Sequence, residues 1–274
     1  MEIQGFSENG SDMLDKDTEI AFNIQVAAGT YLMGLEAPEI VAAASPGQFV
    51  MIRAGSAMEP LLRRPFSIGG TLRGSLLLIL YKVVGRGTAL MAEVKKGERL
   101  AVLGPLGRGF SRPRPGKQPV LAAGGIGIAP LIFLAQSLSQ SRPLFLAGYR
   151  REDEKIPFDP FGLTDENLQI ATDDGSAGHH GFVTDLLETH ISRTKQASAI
   201  VYACGPAAML KKVAALTIAS QTPCQMSLEA QMACGLGACQ GCAVKASIPD
   251  RLTYYLVCKD GPIFPALAID WEAL

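Results

Sequence analysis

Apolar and polar positions alternate along Glu19–Val26, and a second short apolar stretch, Gln48–Arg53, follows a Pro46-Gly47 turn. Leu76–Val84 is a long run rich in branched residues, and Arg99–Leu103 leads into another Gly-Pro turn. Short strands with Gly/Pro punctuation predict an antiparallel barrel or sandwich, with a short helix at Ala89–Val94. Ser111–Lys117 is basic and rich in Pro and Gly, as a linker would be. From Gln118 the rhythm changes. Pro119–Ala122, Pro143–Ala147, Leu168–Ala171 and Ala199–Ala203 read as strands, and Ala129–Leu138, Val183–Glu188 and Ala207–Ala219 as helices. That alternation predicts an open, mostly parallel α/β sheet whose ligand lies at the carboxyl ends of its strands. After Pro223 the chain turns to Gly, Cys and short apolar runs, which suits a small module around a metal centre.

Composition narrows the class. The chain has 274 residues, 48% hydrophobic and 19% charged, with a net charge of -1. It can bury a large core, and its balanced charge provides no global field for nucleic acid or an anionic membrane. The start, MEIQGFSENGSDMLDKD, lacks the basic-then-apolar order of a signal peptide. Gln118–Ser141 has no charged residue and is long enough to span a bilayer. Its Gly124, Gly125, Gly127 and Pro130 and its polar end instead favour a buried strand, glycine turn and helix. No transmembrane segment is expected. Six cysteines are too few for a disulfide scaffold, and four of them fall within 25 positions. Metal ligation in a reducing, cytoplasmic setting is the expectation.

Those four are Cys234, Cys239, Cys242 and Cys258, spaced C-x4-C-x2-C-x15-C. The close x4 and x2 intervals match plant-type ligation of a [2Fe-2S] cluster by four thiolates. Gly235, Gly237 and Gly241 permit the tight curvature that aims backbone amides at sulfur. Zinc is the competing metal, but zinc ribbons use paired knuckles of two-residue spacing. Three cysteines and three glycines within nine positions favour iron–sulfur. Leu236 reads as an apolar cover over the loop, and Cys204 and Cys224 as buried thiols outside the constellation.

In the first half, Arg63-Arg64-Pro65-Phe66-Ser67-Ile68 offers two guanidinium forks suited to a pyrophosphate, a serine able to donate to a flavin edge, and an aromatic beside it. Gly85-Arg86-Gly87-Thr88 follows the long strand; its small residues let helix amides approach phosphate oxygens, and Thr88 can cap the helix. A plain strand-to-helix turn is the alternative for this segment. The order RRPFSI, GRGT, GPLGRGF, AAGGIGIAPL, YACGP and the terminal cysteines resembles the electron-transfer subunit of bacterial NAD-dependent (B-type) dihydroorotate dehydrogenase, within the ferredoxin-NADP reductase superfamily.

The resemblance runs from about Ile20 to Phe264. It implies an FAD-binding β-barrel domain over 1–112, an NAD-binding α/β domain over 113–222 and a [2Fe-2S] cluster-binding module over 223–274. It places FAD on Arg64, Pro65, Phe66, Ser67, Gly87 and Thr88, and more loosely on Tyr81 and Lys82. It places NAD on the glycine turn Gly124, Gly125 and Gly127, on Asp173, and on Cys204, Gly205 and Pro206. The last two also serve simply as a turn. Arg150 and Arg151 suit a 2′-phosphate while Glu152 and Asp153 suit ribose hydroxyls; the family likeness favours NAD. His179 and His180 read as surface residues, because hydride exchange between nicotinamide and flavin needs no protein acid or base. No catalytic side chain is assigned. The likeness further implies an FMN-containing catalytic partner that oxidises dihydroorotate, in a heterotetramer of two subunits of each kind. Glu229, Met232 and the loop around Gln240 are candidates for the partner surface. A reductase subunit serving ferredoxin, sulfide or polysulfide with the same cofactors is the alternative, and a redox sensor or structural metalloprotein a more distant one.

Overall fold

The computed structural model describes residues 14–55, 60–193, 198–248 and 251–274. The stretch inspected for a leader lies, through residue 13, outside the described residues.

The first half is a curled antiparallel half-barrel. Its strands are β1 (Leu14–Ala27), β2 (Thr30–Glu36), β3 (Phe49–Ile52), β4 (Arg64–Ser67), β5 (Gly70–Leu72), β6 (Leu76–Lys82) and β7 (Arg99–Leu106), with helices α1 (Pro38–Ala43) and α2 (Arg86–Glu93) between them. The order across the sheet is β4-β3-β7-β1-β2-β6-β5. Only Ile68 and Gly69 separate β4 from β5, the two edge strands, so the sheet must curl to bring its edges together. Gly69 N donates to Leu78 O on β6 at 2.9 Å, and Ile68 N donates to Gln48 O at 3.0 Å, which stitches that seam. β1 begins at Leu14 rather than Glu19, because its polar first turn of residues pairs with β7 in register Leu14↔Gly104 to Glu19↔Arg99. β2 gave no clear signal because Gly34 interrupts it. Gly34 pairs with Phe22, and a Cβ there would lie 2.4 Å from the Phe22 ring.

The second sheet contains β8 (Gln118–Gly124), β9 (Leu144–Tyr149), β10 (Leu168–Thr172), β11 (His179–His180), β12 (Ala199–Cys204) and β13 (Cys224–Ser227), with helices α3 (Ile128–Ser137), α4 (Val183–Arg193) and α5 (Ala207–Ala219). Its order is β11-β10-β9-β8-β12-β13-β16, where β16 is Ile263–Pro265. All pairings are parallel except β13–β16. The chain leaves β8 towards β9 on one side and later reaches β12 on the other. That reversal is the crevice where open α/β sheets bind ligands. The charge-free stretch Gln118–Ser141 supplies β8 and α3, and no helix among the described residues is long and apolar enough to cross a membrane.

Between β13 and β16 the chain makes a compact excursion that carries all four clustered cysteines. It contains an antiparallel pair, β14 (Ala243–Lys245) and β15 (Tyr254–Leu256), and a short helix α6 (Val257–Asp260). The two large sheets share a core. Leu32, Leu78 and Leu80 of the half-barrel pack in one buried cluster with Leu131, Ile132 and Leu134 of α3. No polar seam separates the two halves there.

Candidate functional site

A cleft of about 450 Å³ opens where the half-barrel, the glycine turn and the start of the cysteine segment meet. One wall is β4, whose Arg64, Pro65, Phe66 and Ser67 are all half-buried. A second is the turn into α2, with Gly85, Arg86, Gly87 and Thr88. These two walls touch: a Cβ on Gly87 would lie 3.2 Å from Arg64 Nε, a tight contact that would press on the guanidinium. A fixed cation beside helix-terminal amides fits a pyrophosphate. Thr88 closes the turn, accepting from Val84 N at 2.9 Å and Gly85 N at 3.2 Å while donating to Gly85 O at 3.0 Å. The helix begins at Arg86, three residues before the expected Ala89, because this cap starts it early.

Tyr81 and Lys82 line the same cleft but have commitments of their own. Tyr81 is buried; its ring stacks on Tyr31 at 5.7 Å and meets Phe66 edge-on at 6.0 Å. Its hydroxyl donates to Asn23 Oδ1 at 2.9 Å, and burial pushes its pKa up to about 12. Tyr81 is therefore an apolar backing for Phe66. Lys82 pairs with Glu154 at 2.7 Å, tying the half-barrel to the loop after β9. Burial pushes Glu154 upwards, yet the hydrogen bond and charge of Lys82 outweigh it and hold the carboxyl below its ordinary range. The two neighbouring arginines also part ways. Arg64 faces the cleft, with Nη1 donating to Leu62 O. Arg63 is absent from the cleft wall and bonds Asp15 at 3.0 Å, which corrects the reading that both forks serve one pyrophosphate.

The third wall is nucleotide-domain chain. Ile126 and Gly127 of the turn after β8, and Ala129 of α3, line the cleft. Gly127 abuts the end of β12, where a Cβ would stand 2.5 Å from Cys204 O, and a Cβ on Gly124 would stand 2.9 Å from Pro206. Gly125 takes φ +52, the left-handed region. The glycine turn and Cys204-Gly205-Pro206 thus sit against each other at the sheet reversal; Gly127 lines the cleft, whereas Gly124, Gly125, Cys204, Gly205 and Pro206 are not among its lining residues. Cys204 is buried, and burial followed by the Glu229 charge raises its thiol pKa. Asp173 is not brought to this cleft. It follows β10, its amide donating to Tyr149 O at 3.1 Å, in a rim with Arg150, Asp174 and Ser176. In that rim Arg151 pairs with Asp153 at 2.9 Å.

The fourth wall was invisible to motif reading: Ser227, Leu228, Glu229, Ala230, Met232 and Pro262 come from the carboxyl-terminal segment. Glu229, expected on the partner surface, faces the cleft, and burial raises its carboxyl pKa. Two residues beyond Met232 the cysteine loop begins.

Its thiols form two pairs. Cys239 N donates to Cys234 Sγ at 3.4 Å, and Cys242 Sγ lies 3.2 Å from Cys258 Sγ. Two sulfurs for each of two irons is the ligation a [2Fe-2S] cluster takes. Backbone amides already point at these sulfurs: Leu236 N donates to Cys234 Sγ at 3.3 Å, Gly237 N to Cys258 Sγ at 3.1 Å and Cys258 N to Cys242 Sγ at 3.4 Å. The Leu236 amide, with help from the Cys239 and Ala238 amides, lowers Cys234 to about 6, favouring the thiolate that binds iron. Burial, then the neighbouring Cys242 thiol, pushes Cys258 up to about 12, so a bound metal would have to displace its proton. Gly235 and Gly237 have φ of +74 and +81, as the curvature demands. Among the described residues no group of three or more His, Cys, Asp or Glu side chains is arranged to hold a single metal ion. Cys239 and Leu236 are exposed, while Cys242 and Cys258 are buried.

A family model for the iron–sulfur cluster binding domain of dihydroorotate dehydrogenase B matches residues 229–270, which include all four cysteines. The chain is 40% identical over 259 residues to the electron transfer subunit of dihydroorotate dehydrogenase B (NAD(+)) of Desulforamulus reducens, covering 93% of this chain and 98% of that one. It is 38% identical over 262 residues to the Fusobacterium nucleatum subunit of the same name, covering 94% and 99%. The solved structure of an NADH-dependent reduced ferredoxin-NADP oxidoreductase superposes with a TM-score of 0.80 at 30% identity, covering 93% of this chain and 90% of that one. A Neisseria gonorrhoeae ferredoxin NADP+ reductase shares the fold, with a TM-score of 0.64 at 18% identity over 75% of this chain and 91% of that one. The chain is an oxidoreductase component with FAD, iron–sulfur and NAD chemistry. It belongs to the family of electron transfer subunits of NAD-dependent dihydroorotate dehydrogenase B.

Proposed function

We propose that this chain serves a cytoplasmic heterotetramer, two copies of it with two FMN-containing catalytic subunits, in pyrimidine biosynthesis. The partner oxidises dihydroorotate, and the electrons reach NAD+ by way of this chain. When bound, the cluster supplies one-electron exchange, nicotinamide two-electron hydride exchange, and FAD the conversion between them. The chain's own residues do the positioning. Arg64 and the Gly85–Thr88 turn hold phosphate charge, Phe66 backed by Tyr81 sets the plane of the cleft, and Gly127 keeps the nicotinamide side open. Leu228, Pro262 and Met232 give the cleft an apolar wall on the side of the cysteine loop.

The observation that carries this reading is the shared wall. Ser227–Ala230 and Met232 line the cleft that also holds Gly127, and two residues further on the same segment reaches the first cluster cysteine, Cys234. That continuity supports a two-electron site and a one-electron site sharing this stretch of chain. Free thiols in two clustered pairs support a reducing compartment.

The test is to co-purify the native complex anaerobically, identify its flavins and assay dihydroorotate-dependent NAD+ reduction. FAD on this chain, FMN on the partner and orotate as product are expected. An intact, cofactor-replete complex that does not turn over dihydroorotate overturns the reading. The 30% identity and 0.80 TM-score to the ferredoxin-NADP oxidoreductase favour a second reading, exchange with ferredoxin. NADH-dependent ferredoxin reduction by such an inactive complex would select it.

A further inference from the structure

Two walls of the flavin-sized cleft are held by different elements: the aromatic wall belongs to β4 and β6, and the phosphate turn belongs to α2. One side chain from outside the cleft reaches both. Asn23, half-buried on β1, donates from Nδ2 to Met91 O at 2.8 Å and to Val94 O at 3.0 Å, the carbonyls at the carboxyl end of α2. Its Oδ1 accepts the Tyr81 hydroxyl at 2.9 Å. Both donors and the oxygen of the amide are thereby engaged. The last carbonyls of a helix have no partner within it, so a side-chain donor there pins the helix end.

α2 is eight residues long, and its amino end carries the turn that Thr88 closes and in which Gly87 lies against Arg64. A helix this short moves as one piece, so pinning its carboxyl end places its amino end as well. Tyr81 meets Phe66 edge-on at 6.0 Å and stacks on Tyr31 at 5.7 Å, so anchoring its hydroxyl fixes the plane against which Phe66 leans. We infer that Asn23 is a positioning residue for the flavin, setting the register between the aromatic wall that meets the ring and the helix end that meets the pyrophosphate. A ligand held at two sites binds tightly only when their separation lets both engage at once. Only an amide serves here. A leucine would leave the Tyr81 hydroxyl and two carbonyls without this partner, and an aspartate would set negative charge against the carboxyl end of a helix. The inference rests on the functional reading above, which puts FAD in the cleft, and adds what holds the two walls in step.

The test follows release of FAD from the full-length, cluster-loaded chain on dilution, by flavin fluorescence, together with the visible circular dichroism of the bound flavin. Asn23→Ala is expected to release FAD about tenfold faster or more, since three hydrogen bonds of ordinary strength are lost. Tyr81→Phe keeps the ring and loses only the anchor; it is expected to change the dichroism and to speed release about threefold. Asn23→Asp keeps an acceptor for Tyr81 and is expected to speed release with the dichroism near that of wild type. Combining Asn23→Ala with Tyr81→Phe should speed release no further than Asn23→Ala does, because the hydroxyl acts through Asn23. Leu78→Ala weakens the shared core from outside the cleft wall and is expected to hold FAD as wild type does, well below its unfolding temperature. Wild-type release from Asn23→Ala overturns the proposal, as do multiplying effects in the double variant. Equal acceleration in Leu78→Ala also overturns it, since Asn23 would then act through stability alone. Should Asn23→Ala not fold, the milder variants decide: unchanged dichroism in Tyr81→Phe or unchanged release from Asn23→Asp overturns it. If the wild-type chain holds no FAD, the functional reading fails and this one with it; a wild-type chain that holds FAD and is indifferent to Asn23 sinks only the positioning role.

Discussion

A carboxyl group at position 229 shares the cleft with Ser67 and Gly127, and burial lifts its pKa above the usual carboxylate range. A raised folded-state pKa means the fold holds this proton more tightly than the unfolded chain does. The resulting stability is full below the unfolded pKa and is lost as pH rises through the folded one. Glu229→Gln cannot ionise, so it should match wild type in acid and gain relative stability towards neutral pH. Paired thermal melts between about pH 4 and about pH 8 check this, and a Tm difference that does not vary with pH would count against it. Position 229 also shows where residue reading stopped. The motifs RRPFSI and GRGT were legible because each compresses its chemistry into a few neighbours. Glu229 reaches the same cleft from more than 140 positions away, and no local pattern marks it. The split between Arg63 and Arg64 was hidden for a similar reason: it depends on Asp15, 48 residues upstream.

At the scale of elements, α3 does the most to join the molecule. It is buried over eight of its ten residues, and that is why a charge-free run long enough to suggest a membrane span belongs inside a globular fold. One face meets its own sheet at Leu121 and Phe145, and the other meets Leu78 and Leu80 of the half-barrel. Leu78→Ala would empty a fully buried site in that shared core and should cost about 2–5 kcal/mol. Because the core is common, the half-barrel and the second sheet should still unfold together. Denaturant titration followed by far-UV circular dichroism and by flavin release tests both points; two separated transitions in wild type would contradict the shared core. Strand and helix periodicity revealed most of these elements, since apolar runs and glycine turns are local. It did not reveal β2, whose Gly34 exists to clear the Phe22 ring, nor β16, which is three residues long and defined by its partner.

For the molecule as a whole, the carboxyl-terminal tail decides whether the cysteine segment behaves as an independent module. β16 pairs with β13 in register Met226↔Phe264, making it an edge of the nucleotide sheet although it lies beyond the last cysteine. From there the tail returns to the β14–β15 pair: Asp270 N donates to Lys245 O at 3.0 Å, Lys245 pairs with Asp270 at 2.7 Å, and Trp271 Nε1 donates to Ala266 O at 2.7 Å. Phe264 is the apolar pin in this tie, buried and 5.4 Å from the ring of Tyr255. The cysteine loop is thus clamped at both ends by one sheet. Phe264→Ala should remove about 3–5 kcal/mol from the clamp. Local opening draws on the weakest-held unit first, and the cleft's Arg64, Phe66 and Gly87 walls do not depend on Phe264. The variant should therefore lose its cluster to an iron chelator about tenfold faster than wild type or more, by the conversion of 1.4 kcal/mol per decade, while FAD remains bound. Following cluster absorbance and flavin fluorescence in one sample separates the outcomes. Simultaneous loss of both would mean that the segment opens only with the whole fold, and that the tail fastens the entire molecule rather than the loop alone.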